Sequence, residues 1–181
     1  IKVKAEDKEE LVPLSVCSSG LQSVFPMLMV IDYCVKNQYF DSFVIEEPEL
    51  NLYPTNQREL LHFVLKRYNN ANSNDMINVV LTTHSPYTLS VLNVALMAKL
   101  VAEDEGFRNE VNSIVPAEEQ LNPNDLAVYA LSEDDQLCCK NLLDPKTRLI
   151  GMNSLDAVSE YVGEQFDQLY KMYVQSKRRQ V

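Results

Sequence analysis

The 181-residue chain carries 16 Lys and Arg against 26 Asp and Glu, which gives a formal net charge of −10 at pH 7. A chain of this length can form one domain with a hydrophobic core, and its acidic balance argues against a nucleic-acid binder that relies on its own charge. No stretch approaches the ~20 apolar residues of a membrane span, so we expect a cytoplasmic protein with no membrane partner.

The first residues have the pattern of a strand that is entered partway through a fold. Ile1 to Ala5 alternates in polarity, and Leu11 to Cys17 follows across the charged stretch Glu6 to Glu10. Two strand-like segments around a polar turn predict an antiparallel hairpin. Because the chain opens with Ile1 rather than Met, we interpret it as a fragment or a trimmed chain.

A long apolar run from Leu21 to Val35 follows the triplet Ser18, Ser19 and Gly20. The length of the run predicts a buried helix rather than a strand. The unpaired backbone N–H groups and the positive dipole end at a helix N-terminus favour anions, and the serine hydroxyls would add donors. The alternative interpretation is that Ser18 or Ser19 is a plain helix cap.

The short apolar run Phe43 to Ile45 ends abruptly in Glu46, Glu47 and Pro48. Such a run predicts a buried parallel strand, and open α/β folds bind their ligands beyond the carboxyl ends of these strands. There Glu46 could hold a water of a Mg²⁺ shell, and Glu47 could orient or deprotonate an attacking water. The alternative is a solvated acidic turn that has no chemical role.

A second strand is predicted to end at the same sheet edge. A helix begins at Pro54, and the apolar strand Ile77 to Thr83 follows it and ends at His84. An imidazole beside the glutamate pair could donate to a terminal phosphate or position a water, whereas a lone histidine would suit a structural role. Pro86 opens a further helix that we expect to run to about residue 103.

The rest of the chain carries weaker patterns. Gly106 to Asn124 is irregular and predicts a long loop or insertion with some strand, and strands are predicted over Leu126 to Leu131 and Gln136 to Leu143. Between Leu155 and Tyr173, apolar residues recur at intervals of three or four, which predicts an amphipathic C-terminal helix with Ser154 as its cap. Strands that alternate with helices give the α/β class, with a mainly parallel sheet flanked by helices.

The order of these motifs resembles the C-terminal half of an ABC-class ATPase. The resemblance rests on Ser18-Ser19-Gly20-Leu21-Gln22, Glu46-Glu47-Pro48-Glu49, Asn51-Leu52-Tyr53-Pro54 and Thr82-Thr83-His84-Ser85-Pro86. It is nearest to the RecF, SMC and overcoming-lysogenization-defect ATPases, including the AAA-type ATPases of bacterial antiphage systems. It covers roughly residues 14 to 87, and Glu46 stands where many ABC ATPases carry aspartate.

The resemblance implies a P-loop NTPase-like partial domain over residues 1–181, with ATP and Mg²⁺ as ligands. It implies that Glu47 and His84 are catalytic and that Glu46 serves the metal. The residues that it implies for nucleotide binding, from the signature motif and the D-loop, are Ser18, Ser19, Gly20, Gln22 and Asn51. It also implies a homodimer with composite ATP sites, linked to DNA or to a partner nuclease.

The phosphate-binding half of such a domain is not found in this sequence. The four glycines, Gly20, Gly106, Gly151 and Gly163, form no Gly-rich loop that ends in Gly-Lys-Ser/Thr. We therefore expect an ATPase only when a Walker A half completes it, and no turnover by this chain alone. Two alternatives stay open, a non-catalytic dimerisation or partner-docking module and a metal-dependent nuclease built on Glu46, Glu47 and Glu49.

Overall fold

A computed structural model of the protein describes residues 2–5, 8–37, 42–71, 78–131, 138–151 and 161–172. The chain divides into two compact units, Ile1–Asn122 and Pro123–Val181, where its length led us to expect one domain. Three two-stranded sheets are described, and one of them is parallel. The expected parallel pairing is therefore confirmed for one strand pair, and the other two described pairs are antiparallel.

The predicted N-terminal hairpin is confirmed, but its second strand lies elsewhere. Strand β1 (Lys2–Ala5) pairs antiparallel with β2 (Lys8–Leu11), so residues 8–10 of the charged stretch are strand rather than turn. The assignment of Leu11 to Cys17 as a strand is wrong, because a 3-10 helix forms over Leu14–Val16. Pro13 precedes that helix, and since it has no N–H to donate, it cannot continue the hydrogen-bond ladder.

Helix α1 (Ser19–Asn37) confirms the helix predicted after the serine pair, and Pro26 lies inside it. The prediction that this helix is buried holds for one narrow stripe that includes Ile31 and Cys34, whereas Met29 and Tyr33 are exposed. Helix α1 is therefore amphipathic, with one buried stripe and one exposed side.

The strand β3 (Ser42–Glu46) pairs in parallel with β4 (Asn78–Thr82). Alternate residues point to opposite faces of a strand, and one face carries the buried Ile45. On the opposite face Val44 is 70% exposed and its neighbour Val80 is 53% exposed. The expectation of strands buried on both faces is thus wrong for the residues that the structure describes.

Helices α2 (Pro54–Ala71) and α3 (Pro86–Ala102) confirm the two helices predicted to begin at prolines. Ile31 of α1, Ile45 and Val79 of the strands and Val64 of α2 line one apolar pocket, so α1 and α2 lie over the same face of the sheet. The two proline-initiated helices pack together and supply most buried apolar residues, which include Leu60, Leu61, Val64, Leu65, Leu89, Leu92, Ala95 and Leu96.

The stretch predicted as an irregular insertion with some strand is helical instead. Helix α4 (Arg108–Ile114) and a 3-10 helix over Ala117–Glu119 occupy most of it. Val111 and Val115 are buried together with Ala98 and Ala102 of α3, so burial of this short segment against α3 decides its conformation. We call α2, α3, α4 and residues 115–121 the helical support.

The second unit contains a 3-10 helix (Pro123–Asp125) and the antiparallel strands β5 (Tyr129–Leu131) and β6 (Cys139–Asn141). Each of these strands lies within one of the two predicted strands, which are confirmed for those residues. Residues 161–172 are helical, which confirms part of the predicted C-terminal helix, whereas its proposed cap, Ser154, lies outside the described residues. Within the part of the chain that the structure describes, no helix has the length and apolar character needed to cross a membrane.

Candidate functional site

The carboxyl ends of β3 and β4 meet at one edge of the parallel sheet. Glu46 pairs in register with Thr82, and the backbone N–H of Glu47 donates to the Thr82 carbonyl oxygen at 3.0 Å. Beyond this point the segments that follow β3 and β4 leave the sheet. We call residues 46–52 and 82–85 the sheet edge, which is where open α/β folds bind ligands.

Glu47 and His84 face one another across the sheet edge. Their side-chain atoms Oε1 and Nε2 lie 3.5 Å apart, and the two side chains are 44% and 83% exposed. The separation is long for a direct hydrogen bond, and both groups remain open to a ligand or a water between them. The structure thus brings together the two residues predicted to be catalytic, while their roles stay a prediction.

The turn that follows Glu47 has an unusual backbone. Glu47 and Asn51 adopt positive φ angles of 42° and 62°, a region that non-glycine residues seldom occupy. Two backbone hydrogen bonds of 2.9 Å, from Leu50 N–H to the Glu47 carbonyl and from Leu52 N–H to the Glu49 carbonyl, close the turn. Backbone strain of this kind persists only where surrounding contacts enforce it, and it concentrates at functional sites.

The serine pair lies at the N-terminus of α1 as predicted. The Ser18 hydroxyl oxygen accepts from the Leu21 N–H at 3.4 Å, which supports the cap interpretation, and Ser19 begins the helix with its side chain exposed. The Gln22 amide nitrogen donates to the Cys17 carbonyl at 2.7 Å, so this side chain turns back onto the loop before α1. Nucleotide binding by these residues stays a prediction.

Gly20 connects the start of α1 to the strained turn. A Cβ atom at Gly20 would lie 2.5 Å from the Asn51 carbonyl oxygen and 3.0 Å from Cδ2 of Leu52. Real Cβ atoms do not approach a backbone oxygen so closely, so only glycine fits here without a shift. Two of the residues predicted to bind nucleotide, Gly20 and Asn51, are therefore in direct contact.

Sequence reasoning missed a set of buried polar contacts behind the sheet edge. The Ser85 hydroxyl donates to Oε1 of Gln57 at 2.6 Å, and Nε2 of Gln57 donates to the Leu52 carbonyl at 3.0 Å. Ser85 and Gln57 are both buried. Their residue types carry no signal in a single sequence, because partners 28 residues apart are joined only by the tertiary fold.

The metal-binding capacity of the sheet edge is limited to a few carboxylates. Among the described residues no three His, Cys, Asp or Glu side chains converge as they do in a protein-only metal site. Mg²⁺ is commonly held by one or two carboxylates together with water and substrate phosphates, so the exposed carboxylates of Glu46 and Glu47 fit that ion. The second histidine, His62, pairs with Glu119 of the helical support.

Comparison with known families agrees with this geometry. Residues 1–89 match the family model of the AAA ATPase domain. The match supports an AAA-type ATPase over the segment that holds both parallel strands, Glu47 and His84, with the ATP binding and hydrolysis that such a domain performs. No curated protein matches the chain, and neither does a solved structure.

Proposed function

We propose that the chain is the C-terminal part of an ABC-class ATPase domain of the RecF, SMC and overcoming-lysogenization-defect kind. The observation that carries the proposal is the Glu47–His84 pair, 3.5 Å apart at the carboxyl ends of two parallel strands. The AAA ATPase match over residues 1–89 supports the same class of reaction. A cytoplasmic location, where ATP is at hand, completes the proposal.

In this proposal the residues of the sheet edge divide the work of phosphoryl transfer. Glu47 orients the attacking water and accepts its proton, and His84 donates to the terminal phosphate. Glu46 holds waters of the Mg²⁺ shell, and the ion would neutralise phosphate charge when bound. Since catalysis of this transfer is mostly positioning and charge stabilisation, the placement of Glu47 opposite His84 is the contribution that this chain makes.

The remaining residues would act on nucleotide held by a second subunit. Ser18, Ser19 and Gly20 present hydroxyl and backbone donors at the N-terminus of α1, a position that favours phosphate, and Gln22 and Asn51 flank them. Because the sequence contains no Gly-rich loop that ends in Gly-Lys-Ser/Thr, we propose that a Walker A half must complete the site. Turnover would then occur in a homodimer and control a DNA-linked or nuclease-linked activity.

A non-catalytic docking module is the second candidate, and one observation favours it. The helical residues 161–172 expose several large apolar side chains, namely Tyr161, Val162, Phe166, Leu169, Tyr170 and Met172. A contiguous exposed apolar surface is typical of an interaction site. In this alternative the ATPase-like fold would serve association rather than hydrolysis.

Substitution of Glu47 by glutamine in the full-length protein separates the two candidates. Loss of a general base costs about 10²- to 10⁴-fold in rate, so we expect ATP hydrolysis to fall by that factor while nucleotide binding persists. Glu59→Gln is the matched control, because Glu59 is an exposed glutamate of α2 paired with Arg58. If Glu47→Gln hydrolysed ATP at the same rate as the wild type, the role assigned to Glu47 would be refuted. If the wild type did not bind ATP, the docking module would be favoured.

A further inference from the structure

Glu49 joins the two halves of the sheet edge through one oxygen atom. The Thr83 hydroxyl donates to Oε1 of Glu49 at 2.6 Å, and the His84 backbone N–H donates to the same oxygen at 2.8 Å. The Thr83 oxygen in turn accepts from the Ser85 N–H at 3.0 Å. Three consecutive residues after β4 are therefore ordered around the carboxylate of a residue in the strained turn.

A second connection joins the same two segments. It runs from the Ser85 hydroxyl through the side chain of Gln57 to the Leu52 carbonyl, and the Leu52 N–H donates to the Glu49 carbonyl at 2.9 Å. The hydrogen bonds thus form a closed ring. Each of these hydrogen bonds restrains the two groups that it joins, so the ring holds residues 83–85 against residues 49–52.

We propose that Glu49 is a positioning residue that holds His84 opposite Glu47. This inference rests on the proposed ATPase function, in which His84 meets the terminal phosphate. Glu47 precedes Glu49 by two residues in the same turn, so the carboxylate that anchors the His84 backbone belongs to the segment that carries the general base. The two hydrogen bonds to Glu49 join the turn that carries Glu47 to Thr83 and to the His84 backbone, so we expect their loss to loosen the placement of His84 3.5 Å from Glu47.

The proposed role requires a hydrogen-bond acceptor and no charge. Oε2 of Glu49 is enclosed and has no hydrogen-bond partner among the described residues, so Oε1 alone makes the contacts. Glutamine retains an equivalent acceptor in its amide oxygen, whereas alanine removes it. A metal-binding carboxylate, as in the nuclease alternative, would instead fail in the glutamine variant.

Amide hydrogen exchange measures the anchor directly, without ATP turnover. The chain contains two histidines, His62 and His84, so ¹⁵N-histidine labelling gives two backbone signals, and His62 within α2 is the internal control. Loss of one hydrogen bond changes an opening equilibrium by about tenfold. We expect Glu49→Ala to speed exchange at His84 by about that factor and to leave His62 unchanged, and we expect Glu49→Gln to resemble the wild type.

The kinetic arm uses the full-length protein. We expect Glu49→Ala to lower kcat about tenfold with little change in the KM for ATP, and we expect Glu49→Gln to restore most of the rate. An unchanged kcat in Glu49→Ala would overturn the inference, as would glutamine and alanine variants that are equally impaired. If the exchange results are as expected but the wild type hydrolyses no ATP, the proposed function fails while the anchor stands.

Thr83→Val covers the case in which Glu49→Ala does not fold. Valine has nearly the shape of threonine and removes the shorter of the two bonds to Glu49. We expect His84 to exchange faster in this variant too, by about threefold, since the His84 N–H keeps a less restrained acceptor. An unchanged exchange rate at His84 in folded Thr83→Val would overturn the inference.

Discussion

The sheet edge and the helical support lie in the same unit and are built in opposite ways. In the support Leu96 is fully buried, with 0% of its surface exposed, and the buried Gln120 donates to both the Asn112 side chain and the Val115 carbonyl at 2.9 Å. At the edge, Glu47 and Asn51 adopt left-handed backbone angles, and the side chains of Glu47 and His84 remain open to solvent.

The difference shows where the stability of the unit resides. Burial of apolar side chains is the dominant favourable contribution to folding, and most of that burial lies in the helical support. The edge contributes backbone strain, which costs stability, and exposed carboxylates, which bury no apolar surface. A rigid support thus allows the edge to keep a geometry that suits ligand chemistry better than it suits folding.

Leu96→Ala, in the helical support, is expected to cause the largest loss of stability. Removal of a fully buried leucine side chain from a core costs about 2 to 5 kcal/mol, so we expect a fall of about 3 kcal/mol in the free energy of unfolding measured with urea. Met97→Ala on the same helix is the matched control. Met97 is 46% exposed, so we expect its loss to cost under about 1 kcal/mol. Equal losses for the two variants would mean that α3 does not anchor the core.

Gly20→Ala tests the contact between α1 and the strained turn, with an intermediate effect. The new Cβ atom would lie 2.5 Å from the Asn51 carbonyl oxygen, and forced repacking of this kind costs about 1 to 3 kcal/mol. We expect that loss of stability in urea unfolding, together with changed backbone amide shifts at Asn51 and Leu52.

Gly163→Ala is the control for Gly20, and the expected sign is opposite. Residue 163 is helical, and a Cβ atom there would meet nothing within 4 Å. Alanine is favoured over glycine in a helix by about 1 kcal/mol, so this variant should be neutral or more stable. If both variants gained stability, the result would contradict the close contact between Gly20 and the Asn51 carbonyl.

Several elements of the fold could be predicted from local patterns. Pro54 and Pro86 lie at the first positions of α2 and α3, because proline suits the first turn of a helix and interrupts its interior. The strands β3 and β4 could likewise be predicted from their apolar runs. Helix α4 was not, because it is a short helix stabilised by burial of Val111 against α3, and that contact does not exist in the sequence.

The sheet edge was predictable to the extent that its chemistry follows strand ends. Glu47 and His84 each lie just after an apolar strand, and parallel pairing of β3 with β4 brings them together. The supporting contacts could not be predicted in this way. Glu49 bonds a residue 34 positions later and Ser85 bonds a residue 28 positions earlier, and only the three-dimensional packing selects those partners.

The smallest expected effect is an electrostatic one in the helical support. Lys66 donates to Glu118 at 2.7 Å, and this hydrogen bond lowers the pKa of Glu118 below its ordinary value of 4.5. A carboxyl whose pKa is lowered in the folded state contributes stability that is present above the unfolded pKa. That contribution is lost as the pH falls below 4.5 and through the lowered folded pKa.

We therefore expect the free energies of unfolding of the wild type and of Glu118→Gln to differ most near neutral pH and to become equal in acid. The measurement is urea unfolding at several pH values between about 3 and 7, in low and high salt, since screening weakens exposed ion pairs. Glu105→Gln is the control, because Glu105 is exposed and lies 3.6 Å from its partner Arg108. A Glu118 difference that grew as the pH fell would reverse the sign argued here. A difference that vanished at neutral pH would mean that the Lys66 contact adds no stability to the helical support.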